Sequence, residues 1–253
     1  MATYVISDIH GQLNKFKEML ALINFKYDAS DELHILGDMV DWGKQSLEAL
    51  LYCKELEEKY SFVHLYRGNH EHMMLKNLIN RDYEDNFENI KNGNWYANNG
   101  GYETYGAFQK LNKSKQEEII QFLEQLPYFN DKVEVNGQKF YLAHAAAYTD
   151  SPNDVPQTYK RKQIHEDGFH FVIWHRYGEI DETFADEKYK GYILIHGHTI
   201  TKVTGKDGRY VIHRTNDRIC IDCGAKMMFK PEEYPEYRLG CLRLDDMTEF
   251  YIN

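Results

Sequence analysis

The chain has 253 residues, of which 42% are apolar and 28% are charged, and its formal net charge is −10. This length suffices for one large α/β domain, and we expect a single domain over residues 1–253 because no repeat or linker interrupts it. The negative charge argues against a nucleic-acid polymer as partner, since such surfaces need clustered Lys and Arg. No apolar run is long enough to span a membrane, which excludes a membrane partner of that kind. The N-terminus lacks the features of a secretory signal, so cytoplasmic localisation is the default expectation.

The first half of the chain alternates predicted strands and helices. Each of three apolar runs leads into a polar motif, and helical spacing of apolar residues follows it, as at Leu13, Phe16 and Leu20. The three runs are Tyr4–Ile6, Leu33–Leu36 and Phe62–Leu65. This alternation predicts a mainly parallel sheet.

Residues 82–127 form a helical, aromatic block. Ser114 and Glu117 form a capping-box signature ahead of the apolar helical positions, and Pro127 should end that helix. The block is interpreted either as a cap over a site or as helices covering the sheet. The second interpretation is favoured because amphipathic helices are more often packing elements.

The second half is richer in predicted strands. Asn136-Gly137 predicts a hairpin turn, and a second turn is expected at 206–208 between strands at 202–204 and 210–212. Further strands are expected at 192–195, 219–221 and 240–244. A second, largely antiparallel sheet packed on the first would accommodate all of them.

Polar side chains stand where the predicted strands end. In an α/β sheet the ends of successive strands gather at one edge, so residues distant in sequence meet there. The residues expected to converge after the first three strands are Asp8, His10, Asp38, Asn69 and His70. Two later strands deliver His144 and His198 in the same way. Asp, Asn and His side chains suit divalent metals, and two metals ~3.5–4 Å apart can bind a phosphate and activate a water.

The ordered set resembles the calcineurin-like metallophosphoesterase superfamily. Within it, the chain is most similar to the phosphoprotein phosphatase (PPP) family, in its bacterial and phage-lambda-like serine/threonine phosphatase branch. The motifs that carry the resemblance are Asp8-x-His10, Gly37-Asp38-x-x-Asp41, Arg67-Gly68-Asn69-His70-Glu71, His144, Trp174-His175-Arg176 and Gly197-His198. The resemblance covers nearly the whole chain and implies an α/β fold, a β-sandwich of two mixed sheets flanked by helices.

The resemblance also implies roles for individual residues. It implies a dinuclear centre of two divalent ions, with Mn favoured and Fe, Zn or Ni possible. The implied ligands of the first ion are Asp8, His10 and Asp38, and those of the second are Asp38, Asn69, His144 and His198. His70 would protonate the leaving alcohol and Asp41 would orient His70. Arg67 and Arg176 would bind the phosphate oxygens.

The implied activity is metal-dependent hydrolysis of phosphomonoesters, namely phosphoserine, phosphothreonine or phosphotyrosine in proteins, by a metal-bridging water. Hydrolysis of dinucleoside polyphosphates of the diadenosine tetraphosphate type, or of other small nucleotides, is the alternative. A third hypothesis is a non-catalytic phosphate-binding module, which would have no need of a leaving-group acid such as His70. The expected partner is therefore a phosphorylated protein or a small phosphorylated substrate.

Two positions depart from the family pattern. Trp42 stands where the family usually has an arginine that clamps phosphate, and Lys44 is expected to compensate in part. Trp42 is interpreted either as harmless drift or as a platform for a nucleobase or other aromatic group. Ile200 replaces a histidine present in many superfamily members, a departure shared with the phosphoprotein phosphatases.

The remaining histidines and cysteines receive structural interpretations. His34 and His64 match no motif and are expected to be packing residues. Cys220 and Cys223 form a C-x-x-C, but they fall in a predicted strand, where residues three apart face opposite sides. They are therefore predicted to be buried free thiols.

Overall fold

Two five-stranded sheets form the centre of the protein in the computed structural model, which describes residues 1–79, 94–147, 170–177, 187–204, 208–228, 230 and 232–253. Across the first sheet the strands are β10 (Thr248–Ile252), β9 (Leu239–Arg243), β1 (Ala2–Ile6), β2 (Asp31–Ile35) and β3 (Val63–Leu65). Across the second they are β4 (Phe129–Val135), β5 (Gln138–Ala143), β6 (Tyr192–His196), β8 (Arg218–Cys220) and β7 (His213–Arg214). The predicted α/β sandwich of two mixed sheets is confirmed.

The helices follow the strands of the first half as predicted. They are α1 (Leu13–Leu22), α2 (Ser46–Lys59), α3 (Asn69–Ile79), α4 (Asn94–Asn98), α5 (Gly101–Phe108), α6 (Lys113–Gln125), α7 (His170–Trp174) and α8 (Thr201–Thr204). Short 3₁₀ turns lie at Glu187–Tyr189 and Ala225–Met227. No helix among the described residues combines the length and apolar composition that crossing a membrane requires.

Each sheet has a parallel centre. β1, β2 and β3 run parallel, because a helix connects each strand to the next. In the second sheet β5, β6 and β8 are also parallel, and only β4 and β7 are antiparallel. The prediction of a largely antiparallel second sheet was therefore wrong.

The sheets pack through an apolar layer that separates them. Val5 and Leu36 of the first sheet lie in one cluster with Phe140, Leu142 and Ile195 of the second. A larger cluster joins the other face of the first sheet to α1 and α2. The next-to-last strand, β9, is buried on both faces and pairs with β1, not with the second sheet where it was expected.

Of three local predictions, one is confirmed and two were wrong. The hairpin at Asn136-Gly137 is confirmed, with φ of 51° and 81° at these two residues. The start of α6 was predicted wrongly, because Asn112 is its cap and its side chain accepts from the Lys115 amide at 2.9 Å. The expected strand at 202–204 belongs to helix α8, and the expected strand at 210–212 is not formed. Residues 206 and 207 of the predicted turn lie outside the described residues.

Candidate active site

The strand ends present their polar side chains through left-handed backbone turns. Asp8, His10, Asp38, Asp41 and His198 all have positive φ, between 45° and 73°. Such conformations cost an L-residue on the order of 1–3 kcal/mol and persist only where the surroundings impose them. All five are buried, so the fold carries this strain at one place, the edge where the strands of both sheets end.

Three potential ligand atoms, two imidazole nitrogens and one amide oxygen, lie close together at this edge, and none of the three carries a proton. His144 Nδ1 lies 3.0 Å from the Leu36 carbonyl oxygen, and His198 Nε2 lies 3.2 Å from that of Trp174. A carbonyl only accepts, so each of these ring nitrogens carries the proton, and His144 Nε2 and His198 Nδ1 carry lone pairs. These two nitrogens are 3.2 Å apart, and each is 2.8 Å from Asn69 Oδ1.

Such an arrangement fits a cation. Burial lowers the pKa of His144 to about 4 and lowers that of His198 as well, so both rings are neutral. Neutral acceptors within 3.2 Å repel one another unless a positive charge lies between them. The donor set of two imidazoles and an amide oxygen, with Asp38 Oδ2 3.4 Å from His144 Nε2, is one that divalent transition metals accept.

A second set of ligand atoms shares the same carboxylate. His10 Nδ1 lies 2.9 Å from the Val40 carbonyl oxygen, so its Nε2 is free to coordinate, and that atom is 3.4 Å from Asp38 Oδ2 and 3.8 Å from Asp8 Oδ1. Burial raises the pKa of Asp8 to about 6, against the opposing hydrogen bond from Ser7. Two groups of potential ligands therefore meet at Asp38.

The His70 and Asp41 side chains form a hydrogen-bonded pair beside these ligands. His70 Nδ1 lies 2.6 Å from Asp41 Oδ2, and His70 Nε2 is 3.8 Å from Asp38 Oδ2, facing the ligand atoms. Asp41 also accepts from the Trp95 indole at 2.7 Å and from the Thr104 hydroxyl. Burial raises the pKa of Asp41 to about 8, and these two donors partly offset that rise.

Trp95 and Thr104 lie on α4 and α5, in the aromatic block for which a cover of the sheet was favoured over a cap on the site. Their hydrogen bonds make part of this block a support for the site. The sequence signalled the helices but not their contacts with Asp41, because these join residues 54 and 63 positions apart.

Glu71 fixes the loop that carries Asp38. It is fully buried, and its carboxylate accepts from four backbone amides at 2.7–3.3 Å, those of Asp38, Met39, Val40 and Gly68. The Asp38 carboxylate in turn accepts from the His70 amide at 3.0 Å. Glu71 belongs to the Gly68-Asn69-His70-Glu71 motif, for which the sequence predicted no role at this position. In the structure, Glu71 holds the loop that carries Asp38.

Of the two predicted phosphate-binding arginines, only Arg176 lies beside the ligands. Its Nη1 is 3.0 Å from Thr199 Oγ1 and 3.3 Å from the His198 carbonyl oxygen, and the side chain is exposed. Arg67 is completely buried, and its guanidinium binds the Leu123 carbonyl and the Tyr128 hydroxyl and lies over the Tyr128 ring. These contacts attach Arg67 to α6 and to the residue before β4, and its role in binding phosphate stays a prediction.

A second cation that sequence reasoning missed is Lys226. Its ammonium lies 5.9 Å from the centre of the Trp42 ring. Its positive charge partly offsets the rise that burial causes in the pKa of Asp8, and it adds to the lowering that burial causes in the pKa of His10 and His70. Lys44, expected to compensate for the missing arginine, is exposed to solvent. The half-buried Trp42 packs against Gly100, so the structure favours a packing role over a free stacking platform.

Gly197 is required by close packing. A Cβ at this position would overlap the Asp8 carboxylate and the Ser7 hydroxyl. All four cysteines are buried and none forms a disulfide, as was predicted for Cys220 and Cys223. These two cysteines belong to none of the potential metal groups found among the described residues.

Comparison with known proteins agrees with this geometry. The family model for calcineurin-like phosphoesterases matches residues 1–229. A symmetrical bis(5'-nucleosyl)-tetraphosphatase from Glaesserella parasuis serovar 5 (strain SH0165) is 40% identical over 78 residues, which are 31% of this chain and 27% of that protein. The chain thus matches only about a quarter of the length of this curated relative.

Solved structures share the fold over most of the chain. A proposed diadenosine tetraphosphatase superposes with a TM-score of 0.61 at 17% identity, covering 99% of this chain and 92% of the other. A Saccharomyces cerevisiae serine/threonine phosphatase similar to human PP5 gives 0.62 at 16% identity, covering 96% and 72%. The chain belongs to the calcineurin-like phosphoesterase family.

Proposed function

We propose that the protein hydrolyses phosphoric anhydrides of small nucleotides, with dinucleoside polyphosphates as its substrate class. The proposal of a hydrolase rests on one observation. The unprotonated ring nitrogens of His144 and His198 lie beside Asn69 Oδ1. Asp38 links this group to the second group of potential ligands, His10 and Asp8. These six side chains would hold two divalent ions, with Mn the first choice. When bound, such ions polarise phosphoryl oxygens and lower the pKa of a water.

The chain's own residues would supply the proton and the substrate contacts. His70 would donate its Nε2 proton to the leaving oxygen, while its Nδ1–H keeps its proton and donates a hydrogen bond to Asp41, which holds the ring aimed at the site. A pyrophosphate leaving group is already a weak base. The proton from His70 therefore matters less for an anhydride than for an ester of serine or threonine.

Arg176 and Lys226 would bind the phosphate chain from two sides. A guanidinium forms directed, charge-assisted hydrogen bonds with phosphate oxygens, whereas an ammonium acts as a point charge. A chain of four phosphates carries more negative charge than a monoester, so it benefits more from two separate cations. This reasoning and the similarity to the bis(5'-nucleosyl)-tetraphosphatases support the nucleotide proposal.

Dephosphorylation of proteins is the second candidate. It is favoured by Ile200, which replaces the histidine that many superfamily members have and phosphoprotein phosphatases lack. The exposed position of Arg176 would also suit a phosphate presented on a protein surface. The two candidates share the same ligands and the same acid.

The deciding experiment measures turnover of the Mn-supplemented protein on diadenosine tetraphosphate, p-nitrophenyl phosphate and a phosphopeptide panel. We expect the highest kcat/KM on diadenosine tetraphosphate, with cleavage into two equal halves. Higher kcat/KM on phosphopeptides would establish the second candidate instead. No turnover on any substrate with the metal retained would support a phosphate-binding module.

A further inference from the structure

A second group of histidines and a carboxylate lies within strands β2 and β3, away from the active site. Glu32 and His34 are two residues apart on β2, so they face the same side of the sheet. His64 on β3 is the register partner of His34. The two imidazole rings stack with centroids 4.9 Å apart, and both approach Glu32.

The distances among these side chains match those of a metal site. Glu32 Oε1 is 3.3 Å from His34 Nε2 and 3.1 Å from His64 Nε2, and the three atoms all lie within 4.8 Å of one another. Zinc binds imidazole nitrogen and carboxylate oxygen at about 2.0–2.2 Å in tetrahedral geometry, which places two donor atoms roughly 3.3–3.5 Å apart. The three donors therefore stand close to the spacing that one zinc ion requires.

His34 points independently to a ligand. The residue is fully buried, and its Nε2 makes no hydrogen bond within the part of the chain that the structure describes. Glu32 Oε1 lies 3.3 Å from this nitrogen, and a cation between the two atoms would bind both. Leaving such a buried group unsatisfied costs about 1–3 kcal/mol, and an ion would satisfy it.

The other nitrogen of His34 is held in place. Its Nδ1 lies 2.9 Å from the Tyr66 hydroxyl, which also accepts from the Asn130 side chain at 3.3 Å. Metal-binding histidines are commonly oriented through their second nitrogen in this way. The contact fixes the ring so that Nε2 faces Glu32 and His64.

An ion can reach this cluster from solvent. The side chains of Glu32 and His64 are 25% and 37% exposed. His64 also lines an open cleft of about 220 Å³ together with Tyr66 and Asn130. The opening leaves room for water to complete the coordination of a three-ligand ion.

We propose that Glu32, His34 and His64 form a zinc site separate from the active site. Glu32 precedes Asp38 by six residues, roughly 20 Å along an extended chain at ~3.3 Å per residue, so the two sites share no ligand. Two imidazoles and one carboxylate are a donor set typical of zinc. The ion would join β2 to β3, the strands that lead to Asp38 and to Asn69.

Zinc stoichiometry tests the proposal without reference to activity. The full chain and the His64→Gln and Glu32→Gln variants are saturated with zinc, dialysed against buffer, and analysed for metal content and by isothermal titration. We expect each variant to bind one zinc fewer than the unchanged chain, whatever number the active site holds. His213→Gln, which alters a half-buried histidine on β7, is the matched control and should bind the full number.

Thermal unfolding provides a second measurement. Added zinc should raise the Tm of the unchanged chain and of His213→Gln by more than that of His64→Gln, because binding to the folded state stabilises it. Equal zinc counts and equal Tm increments in all four proteins would overturn the proposal. Glu32, His34 and His64 would then be a polar contact between two strands.

Discussion

The turns that follow β2 and β3 gather the same kinds of side chain as the two strands themselves, but by different means. In the turns, left-handed backbone brings Asp38 and His70 together with residues from both sheets, and the resulting site is buried. Within the strands, alternation along β2 and its register with β3 suffice to bring Glu32, His34 and His64 together, and the cluster is partly exposed. The strained turns form the catalytic site from residues of both sheets. Regular strand pairing, in contrast, brings together three potential ligands of a single ion.

Asp38→Asn is the change with the largest expected effect, because Asp38 is common to both ligand groups of the active site. We expect kcat/KM to fall by on the order of 10³-fold or more, the upper end of what one electrostatic group contributes. Most of the active-site metal should be lost, whereas the zinc that depends on His64 should remain. Metal analysis and turnover, with Asp28→Asn as an exposed control, measure both effects. A fully active enzyme with one active-site ion per chain would contradict the bridging role.

His70→Asn should separate catalysis from metal binding. We expect the metal content to be unchanged and kcat to fall by roughly 10²–10⁴-fold, the usual contribution of a general acid. The loss should be smaller for p-nitrophenyl phosphate, whose leaving group needs less protonation. In the same metal assay, His64→Gln should lose one zinc, in contrast to His70→Asn. Equal losses of kcat across leaving groups would argue against His70 as the acid.

The contrast between turns and strands also explains what the sequence could and could not predict. Asp8, Asp38 and Asn69 follow apolar runs within two to four residues, so their convergence was predictable from strand order alone. The contacts of Arg67 with Leu123 and Tyr128 were not predictable, because they join residues 56 and 61 positions apart. Lys226 lies far along the chain from Trp42, and the sequence carried no signal that joins them.

Non-local pairing accounts for the errors in the fold. β9 pairs with β1 from the other end of the chain, and no local pattern distinguishes that partner from the second sheet. The β-branched Val203 and Thr204 favour a strand. However, Thr201 is fully buried and donates its amide hydrogen to the Asp222 carbonyl oxygen, where α8 begins. His34 and Glu32 show the spacing of one strand face, yet only the register with β3 adds His64.

Lys226→Ala should weaken substrate binding without changing the metal content of the active site or of the proposed zinc site. Loss of one charge-assisted contact to phosphate, worth about 1.5–3 kcal/mol, corresponds to a 10–100-fold fall in kcat/KM. The fall should be greater for diadenosine tetraphosphate than for p-nitrophenyl phosphate, and Lys226→Arg should retain most of the activity. Lys230→Ala, which alters a surface lysine paired with Glu233, is the control. An unchanged kcat/KM on both substrates would remove Lys226 from the site.

Trp95→Phe should have the smallest effect, because Trp95 acts on His70 only through Asp41. The change removes the indole donor to Asp41 and keeps an aromatic ring in the core. Asp41 would retain the Thr104 hydroxyl and the His70 ring as partners, so we expect kcat to fall by only about 3- to 10-fold, equivalent to ~0.7–1.4 kcal/mol. The pKa of Asp41 should rise further, because one of the two donors that oppose the effect of burial is gone. Protonation of Asp41 would then weaken its hold on His70, so the low-pH limb of the kcat profile should move to higher pH. Tyr96→Phe, one residue along the same helix, should shift neither kcat nor the profile. If Trp95→Phe lowers kcat and leaves the profile in place, the indole contributes packing alone.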